Sequence, residues 1–153
     1  MNSVVEINTE FALVVDYSKT IEQIIADGKY CYADHRMTSE FFPIPPEMIG
    51  KKIEVSAKVF NFGRIGLNDS ISELDKAGYR PATLMELLAL GLLFLKPQKQ
   101  FSILALGSIG FFLYTRRFVP RLDFDGFSKR RLQLQWLDDG SYRAYDRYLG
   151  IRK

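Results

Sequence analysis

The sequence predicts one α+β domain over residues 1–153, with short N-terminal helices and strands followed by an antiparallel sheet. Three observations support this fold class. Residues 52–60 alternate strictly between polar and apolar side chains, which is typical of a half-buried strand. The capping-box spacing, Ser or Thr followed three residues later by Glu or Gln, begins at Thr20, Ser70 and Thr83. From residue 101 onward, strand-like runs replace the helical pattern.

The N-terminal elements follow in order. Residues 11–16 are rich in residues that favour strands and predict the first strand. Thr20 begins a short helix, and Gly28 is placed to end it in a left-handed conformation. Residues 31–47 have no clear period and end in a proline-rich stretch, so we expect an extended loop there.

In the middle of the chain, the sequence predicts the alternating strand at 52–60 and then two helices. The first helix begins at Ser70 and ends near Gly78. Residues 84–95 form the main helix, which ends before Pro97 because proline cannot continue a helix.

The C-terminal third predicts four consecutive strands. The apolar run at 101–106 suits a strand that is covered on both faces. Further strands are expected at 111–119, 131–137 and 142–152, and residues 138–141 have the composition of a hairpin turn.

Composition indicates an ordinary globular domain, with 47% hydrophobic and 25% charged residues. The net charge of +3 is unevenly distributed. Residues 1–77 carry 8 Lys and Arg against 12 Asp and Glu, a net charge of −4, whereas residues 78–153 carry +7. A mixed, solvated surface and an anion-binding face both fit this distribution.

Nothing near the N-terminus has the pattern of a secretion signal, because Glu6 and Glu10 stand where a basic segment would be. The most apolar tract, residues 84–114, is interrupted at 96–100 and leaves two pieces too short to span a bilayer. We therefore expect a cytoplasmic protein with no membrane partner. The single cysteine, Cys31, fits a reducing compartment.

Few residues have the pattern of a catalytic or metal site. His35 is the only histidine, and Cys31 is expected to be a half-buried structural residue. Asp123 and Asp125 resemble the start of a calcium loop, but arginines follow and the closing Glu is missing. Walker and dinucleotide motifs are also missing. We therefore predict no metal and no cofactor, and an enzyme that uses His35, Cys31 or the two aspartates is the third alternative.

The best-supported expectation is a non-catalytic binding or interaction module that recognises a protein or an anionic ligand through its C-terminal strands and loops. Arginines and tyrosines alternate near the C-terminus, as they do where single-stranded nucleic acid stacks on aromatic platforms. A nucleic-acid-associated protein is therefore the second alternative, and its binding would weaken steeply with salt. Self-association through Phe41-Phe42 and Phe111-Phe112-Leu113 is a further expectation. The candidate ligand contacts are Arg116, Arg117, Tyr142, Arg143, Tyr145 and Arg147.

Residues 79–87, Tyr-Arg-Pro-Ala-Thr-Leu-Met-Glu-Leu, are similar to the Tyr-Arg-Leu-Pro-Thr-x-x-Glu stretch of formylglycine-generating proteins. The closing residues 148–153 are similar in kind to the last strand of those proteins. This resemblance implies a C-type-lectin-like fold. It does not imply the activity of formylglycine-generating proteins, because they use a cysteine pair and this chain has only Cys31. It does not imply calcium-dependent sugar binding either, because the calcium motifs of sugar-binding lectins are missing.

The whole chain also resembles a group of small uncharacterised bacterial proteins known mainly from environmental genomes. The shared residues are those at 74–88 except positions 77, 79 and 85, then Ala105-Leu106-Gly107-Ser108, Val119-Pro120 and an end similar to Ile151-Arg152-Lys153. This second resemblance covers most of the chain and implies no particular activity.

Overall fold

A computed structural model of the chain describes residues 9–93, 102–113, 115–124, 129–137 and 146–153. Within these ranges the chain forms three α-helices and a nine-stranded sheet, so the α+β class is confirmed. The elements are β1 (Phe11–Asp16), α1 (Ile21–Gly28), β2 (Tyr32–Ala33), β3 (Lys52–Phe60), α2 (Leu67–Lys76), β4 (Tyr79–Pro81), α3 (Leu84–Leu93), β5 (Ser102–Leu104), β6 (Gly110–Phe112), β7 (Arg116–Phe124), β8 (Arg130–Trp136) and β9 (Asp146–Arg152). A short 3-10 helix spans Pro46–Met48.

The sheet is mixed, with the strand order β1-β3-β9-β5-β7-β8-β2. Strands β4 and β5 lie end to end along one edge of β9, and β5 and β6 share one edge of β7 in the same way. The β5–β9 and β2–β8 pairs are parallel, so the prediction of a purely antiparallel sheet is wrong. The reason is long-range: after β8 the chain returns across the sheet and places β9 between β3 and β5.

The sheet buries apolar side chains on both faces. One face packs against α1 and α3 through a core that includes Leu13, Leu88 and Phe118. On the other face α2 contributes Leu74, which packs with Phe60 and Tyr79. The domain therefore has three layers, with α1 and α3 on one side of the sheet and α2 on the other. None of the helices in the described ranges has both the length and the apolar content needed to cross a membrane.

The predicted capping box at the start of α1 is confirmed, but the left-handed residue at its end is not the predicted one. The Thr20 hydroxyl accepts a hydrogen bond from the Gln23 amide at 3.1 Å, and Gln23 Oε1 accepts one from the Thr20 amide at 2.8 Å. The left-handed residue is Lys29, with φ of 52°, rather than Gly28. Gly28 stays helical, and the ring of Tyr30 occupies the space that a Cβ at this position would need.

The conformation of Lys29 gives a stability prediction. A side chain in the left-handed region is strained, so Lys29→Gly should raise the free energy of unfolding by about 0.5 to 1 kcal/mol. Lys76→Gly is the matched control, because Lys76 ends α2 in ordinary helical conformation and should lose a similar amount. Urea unfolding of both variants measures the difference, and a loss of stability in both would contradict the prediction.

The second helix begins earlier than predicted. Its N-cap is Gly66, and the Ser70 hydroxyl lies inside the helix, where it donates to the Leu67 carbonyl at 2.7 Å. Leu67, Ile71 and Leu74 have the i, i+4, i+7 spacing that packs one helix face, and this apolar face determines the start of the helix. The predicted end is confirmed, since the helix closes at Lys76 and Gly78 follows with φ of 89°.

The C-terminal strands differ from the prediction in two places. The expected single strand at 111–119 is a hairpin, because β6 folds back on β7 and Leu113 adopts a φ of 53°. Residues 79–81, expected only as the approach to a helix, form β4 and pair with β9. The predicted turn at 138–141 and the first part of the last predicted strand lie outside the described residues.

Candidate binding pocket

The start of α3 is built around an ion pair between the buried carboxylate of Glu86 and the partly exposed side chain of Arg80. The Thr83 amide donates to Glu86 Oε1 at 2.9 Å, and the Glu86 amide approaches the Thr83 hydroxyl at 3.4 Å, which is the predicted capping box. The Glu86 side chain is only 3% exposed, and its carboxylate also binds Arg80 through two contacts, of 2.6 and 3.0 Å. Hydrogen bonding to Glu86 raises the pKa of Arg80. The helix start therefore carries a closed, two-point ion pair.

A short loop at residues 106–109, which we call the detour, packs against the start of α3. Residues 106–109 leave the β7 edge after Ala105 and rejoin it at Gly110. At the tip of the detour the Gly107 amide donates to the Ala82 carbonyl at 2.7 Å. The Ser108 hydroxyl accepts from the Leu84 amide, also at 2.7 Å, which satisfies one of the helix N–H groups that has no partner within the helix.

Residues 41–48 form the facing wall, which is apolar. Phe42 meets the ring of Phe118 edge-on with 5.6 Å between centroids, and Phe41 lies 5.8 Å from the same ring. These two contacts anchor the proline-rich segment to the core of the sheet. The wall residues are Phe41, Phe42, Pro43, Ile44, Pro45, Glu47 and Met48.

The helix start, the detour and this wall enclose a cavity of about 420 Å³, which we call the α3 pocket. The rest of the lining consists of Tyr17, Ile21, Arg80, Thr83, Leu84, Met85, Glu86, Gly107, Ser108 and Ile109. Burial, reinforced by the negative charge of Glu86, raises the pKa of Tyr17. A largely apolar cavity of this size with a few convergent polar groups is typical of a small-ligand site.

The arginines predicted to bind a ligand lie at separate places on the sheet. Arg116 stacks on the Trp136 ring, 3.9 Å from the centroid, whereas Arg117 lies next to it on a strand and borders a second recess near the start of α2. Arg147 is half-buried opposite Ile103, which pairs with a β7 residue five positions beyond Arg117. That offset corresponds to roughly 17 Å along the strand. Arg116, Arg117 and Arg147 therefore do not share one surface. The other three predicted contacts, Tyr142, Arg143 and Tyr145, lie outside the described residues.

The residues considered for catalysis do not line the α3 pocket. His35 and Cys31 are both exposed, so the prediction of a half-buried cysteine is wrong: Cys31 leads into β2, a two-residue strand at the edge of the sheet. Asp123 is buried and accepts hydrogen bonds from Arg131 and Gln133, and burial raises its pKa. Asp125 lies outside the described residues.

Sequence reasoning missed most of the α3 pocket. The sequence marks Phe41-Phe42 only as apolar surface, and Gly107-Ser108 only as part of a family resemblance. The alternation of proline and apolar residues at 43–46 was the available signal, because it indicates a rigid apolar segment. In comparisons with protein-family models, curated proteins and solved structures, nothing matches this chain.

Proposed function

We propose that this protein is a non-catalytic binding module and that the α3 pocket is its ligand site. The observation that carries the proposal is the combination of a cavity of about 420 Å³ with a buried carboxylate, Glu86, whose charge Arg80 already neutralises. Apolar walls supply affinity for a ligand body, and a few fixed polar groups orient it.

The polar groups of the α3 pocket favour binding over chemistry. The Glu86 carboxylate is engaged by Arg80 and by the Thr83 amide. The hydroxyls of Thr83 and Ser108 accept hydrogen bonds from the first amides of α3, so they hold the helix start in place. None of the residues lining this cavity is a histidine or a cysteine, the usual general base and thiol nucleophile.

The charges around the α3 pocket favour a neutral ligand. Arg80 and Glu86 neutralise each other, and among the described residues the remaining charged lining residue is Glu47, which is exposed at the rim. An anion would meet this carboxylate without an uncommitted cation in the lining. An anionic partner would fit the basic strands instead, where Arg147 lies far enough from the adjacent Arg116 and Arg117 to require a large ligand.

We also propose that the scaffold is C-type-lectin-like. The antiparallel β3–β9 pair brings an N-terminal strand against the C-terminal strand, and α2, β4 and α3 follow β3 in order. The Thr83-x-x-Glu86 spacing that carries the sequence resemblance begins α3. Loops on such a frame are the usual place for recognition, and two of the walls of the α3 pocket are loops.

A fragment screen tests the proposed site. We expect uncharged compounds with an aromatic or aliphatic body to bind the wild-type protein in ligand-observed NMR. Ile109→Trp should abolish this binding because the larger ring fills the mouth of the α3 pocket, where Ile109 lies. Ile49→Trp is the matched control, since Ile49 is exposed but does not line the cavity. Equal binding to both variants would refute the site.

A further inference from the structure

The β6–β7 hairpin exposes an unusual amount of apolar surface. Ile109, Phe111 and Leu113 are 37%, 58% and 69% exposed, and they alternate with the buried Gly110 and the half-buried Phe112. Alternation places side chains two residues apart on the same side of an extended segment, so Ile109 and Phe111 form one stripe that leads to Leu113. Contiguous exposed apolar surface of this kind is typical of an interaction site.

This stripe is continuous with the α3 pocket. Ile109 belongs to both, because it lines the cavity and also begins the exposed series. Leu113 follows four residues later, and because even a fully extended chain covers only about 13 Å in four residues, Leu113 lies within that distance of Ile109. An apolar projection and an apolar cavity therefore lie side by side on one molecule.

The two features carry opposite charges at their edges. The exposed Arg116 follows Leu113 at the start of β7, where it is paired with Phe112. Glu47, also exposed, lies at the rim of the α3 pocket. A projection with a cation beside it thus complements a cavity with an anion beside it.

We propose that the occupant of the α3 pocket is the hairpin tip of a second copy of this chain. A two-fold symmetric interface requires that one surface carry both halves of the contact, which the adjacent projection and cavity do. In the dimer, Leu113 enters the α3 pocket of the partner subunit, and Arg116 approaches Glu47 of the partner subunit. The inference rests on the proposed function, because it assigns a partner to the same cavity.

Sedimentation equilibrium between about 1 µM and 1 mM tests the dimer, a range chosen for an interface at the small end of stable contacts. The wild-type protein should move from monomer to dimer mass within this range. Leu113→Asp should remain monomeric, since a carboxylate would have to enter an apolar cavity. Val14→Asp, at an equally exposed valine on β1, is the matched control and should dimerise normally.

Charge reversal tests the orientation of the two copies. Glu47→Arg and Arg116→Glu should each weaken the dimer by about tenfold, and the double variant should regain most of the loss. Circular dichroism of each variant confirms that the fold is kept. A double variant no tighter than the single ones would overturn the proposed orientation.

The failures of the two proposals are distinguishable. A wild-type protein that stays monomeric throughout the range, yet binds fragments that Ile109→Trp blocks, overturns the dimer and leaves the ligand site standing. A dimer that survives Leu113→Asp overturns the inference as well. If Leu113→Asp prevents dimerisation but Ile109→Trp does not, the tip packs outside the α3 pocket and the assigned occupant is wrong.

Discussion

Glu86→Ala is expected to lower the free energy of unfolding by about 2 to 3 kcal/mol. The substitution removes a carboxylate that is 3% exposed and leaves Arg80 and the Thr83 amide without their acceptor. Breaking a buried ion pair costs more than this when both partners are fully buried. Here Arg80 is partly exposed, so water compensates for some of the loss.

Chemical denaturation measures the effect, with Glu73→Ala as the control. Glu73 is also a glutamate in an ion pair on a helix, but its pair with Lys76 is exposed to solvent. Removing it should change stability by no more than about 0.5 kcal/mol. Equal losses at the two positions would contradict the prediction, because they would show that the Arg80–Glu86 pair stabilises the fold no more than an exposed ion pair does.

Gly107→Ala is expected to destabilise the fold by about 2 kcal/mol and to weaken ligand binding in the same variant. A Cβ at this position would lie 2.7 Å from the carbonyl oxygens of both Pro81 and Ala82. These are backbone atoms that hold β4 and the start of α3, so they cannot move aside as a flexible side chain can. The detour must shift outward, and Ser108 then loses its hydrogen bond to the Leu84 amide.

Gly66→Ser is the control variant. It also replaces a glycine, but without the steric contact between a new Cβ and the backbone that is expected at Gly107. A Cβ at Gly66 has no neighbour within 4 Å, and the serine hydroxyl can cap α2. This variant should match or slightly exceed the wild-type stability. Thermal unfolding and the fragment assay should both respond to Gly107→Ala and not to Gly66→Ser, and a neutral Gly107→Ala would contradict the described contact.

Local patterns were sufficient where the deciding residues are near one another in the chain. The alternation at 52–60 and the Thr20 capping box depend on residues within a few positions, and both are confirmed. The start of α2 was missed because packing of Leu67 and Leu74 outweighed the cap signal at Ser70. Element boundaries follow the apolar face when the two signals disagree.

Local sequence patterns could not predict which strands pair when they are far apart in the chain. The parallel β5–β9 pair depends on where the chain returns after β8, and no residue near β5 or β9 encodes that choice. The hairpin at 110–118 was predicted as one strand because Leu113, in a left-handed conformation, carries no turn signature.

The candidate site needed the same long-range information. Four segments form the α3 pocket, at 17–21, at 41–48, at 80–86 and at 107–109, and none has a motif that marks it as part of a cavity. The arginines were chosen by residue type and by their position on predicted strands. Strand register, which the sequence does not reveal, places Arg147 apart from Arg116 and Arg117, which are neighbours on β7.

Amide chemical-shift mapping tests the central claim most directly. Titrating the tightest-binding fragment into ¹⁵N-labelled protein reports which backbone amides sense the ligand. We predict the largest shifts at Thr83, Leu84, Gly107 and Ser108, which line the α3 pocket. Shifts confined to Arg116, Arg117 and Arg147 would contradict this account and place recognition on the strand arginines instead.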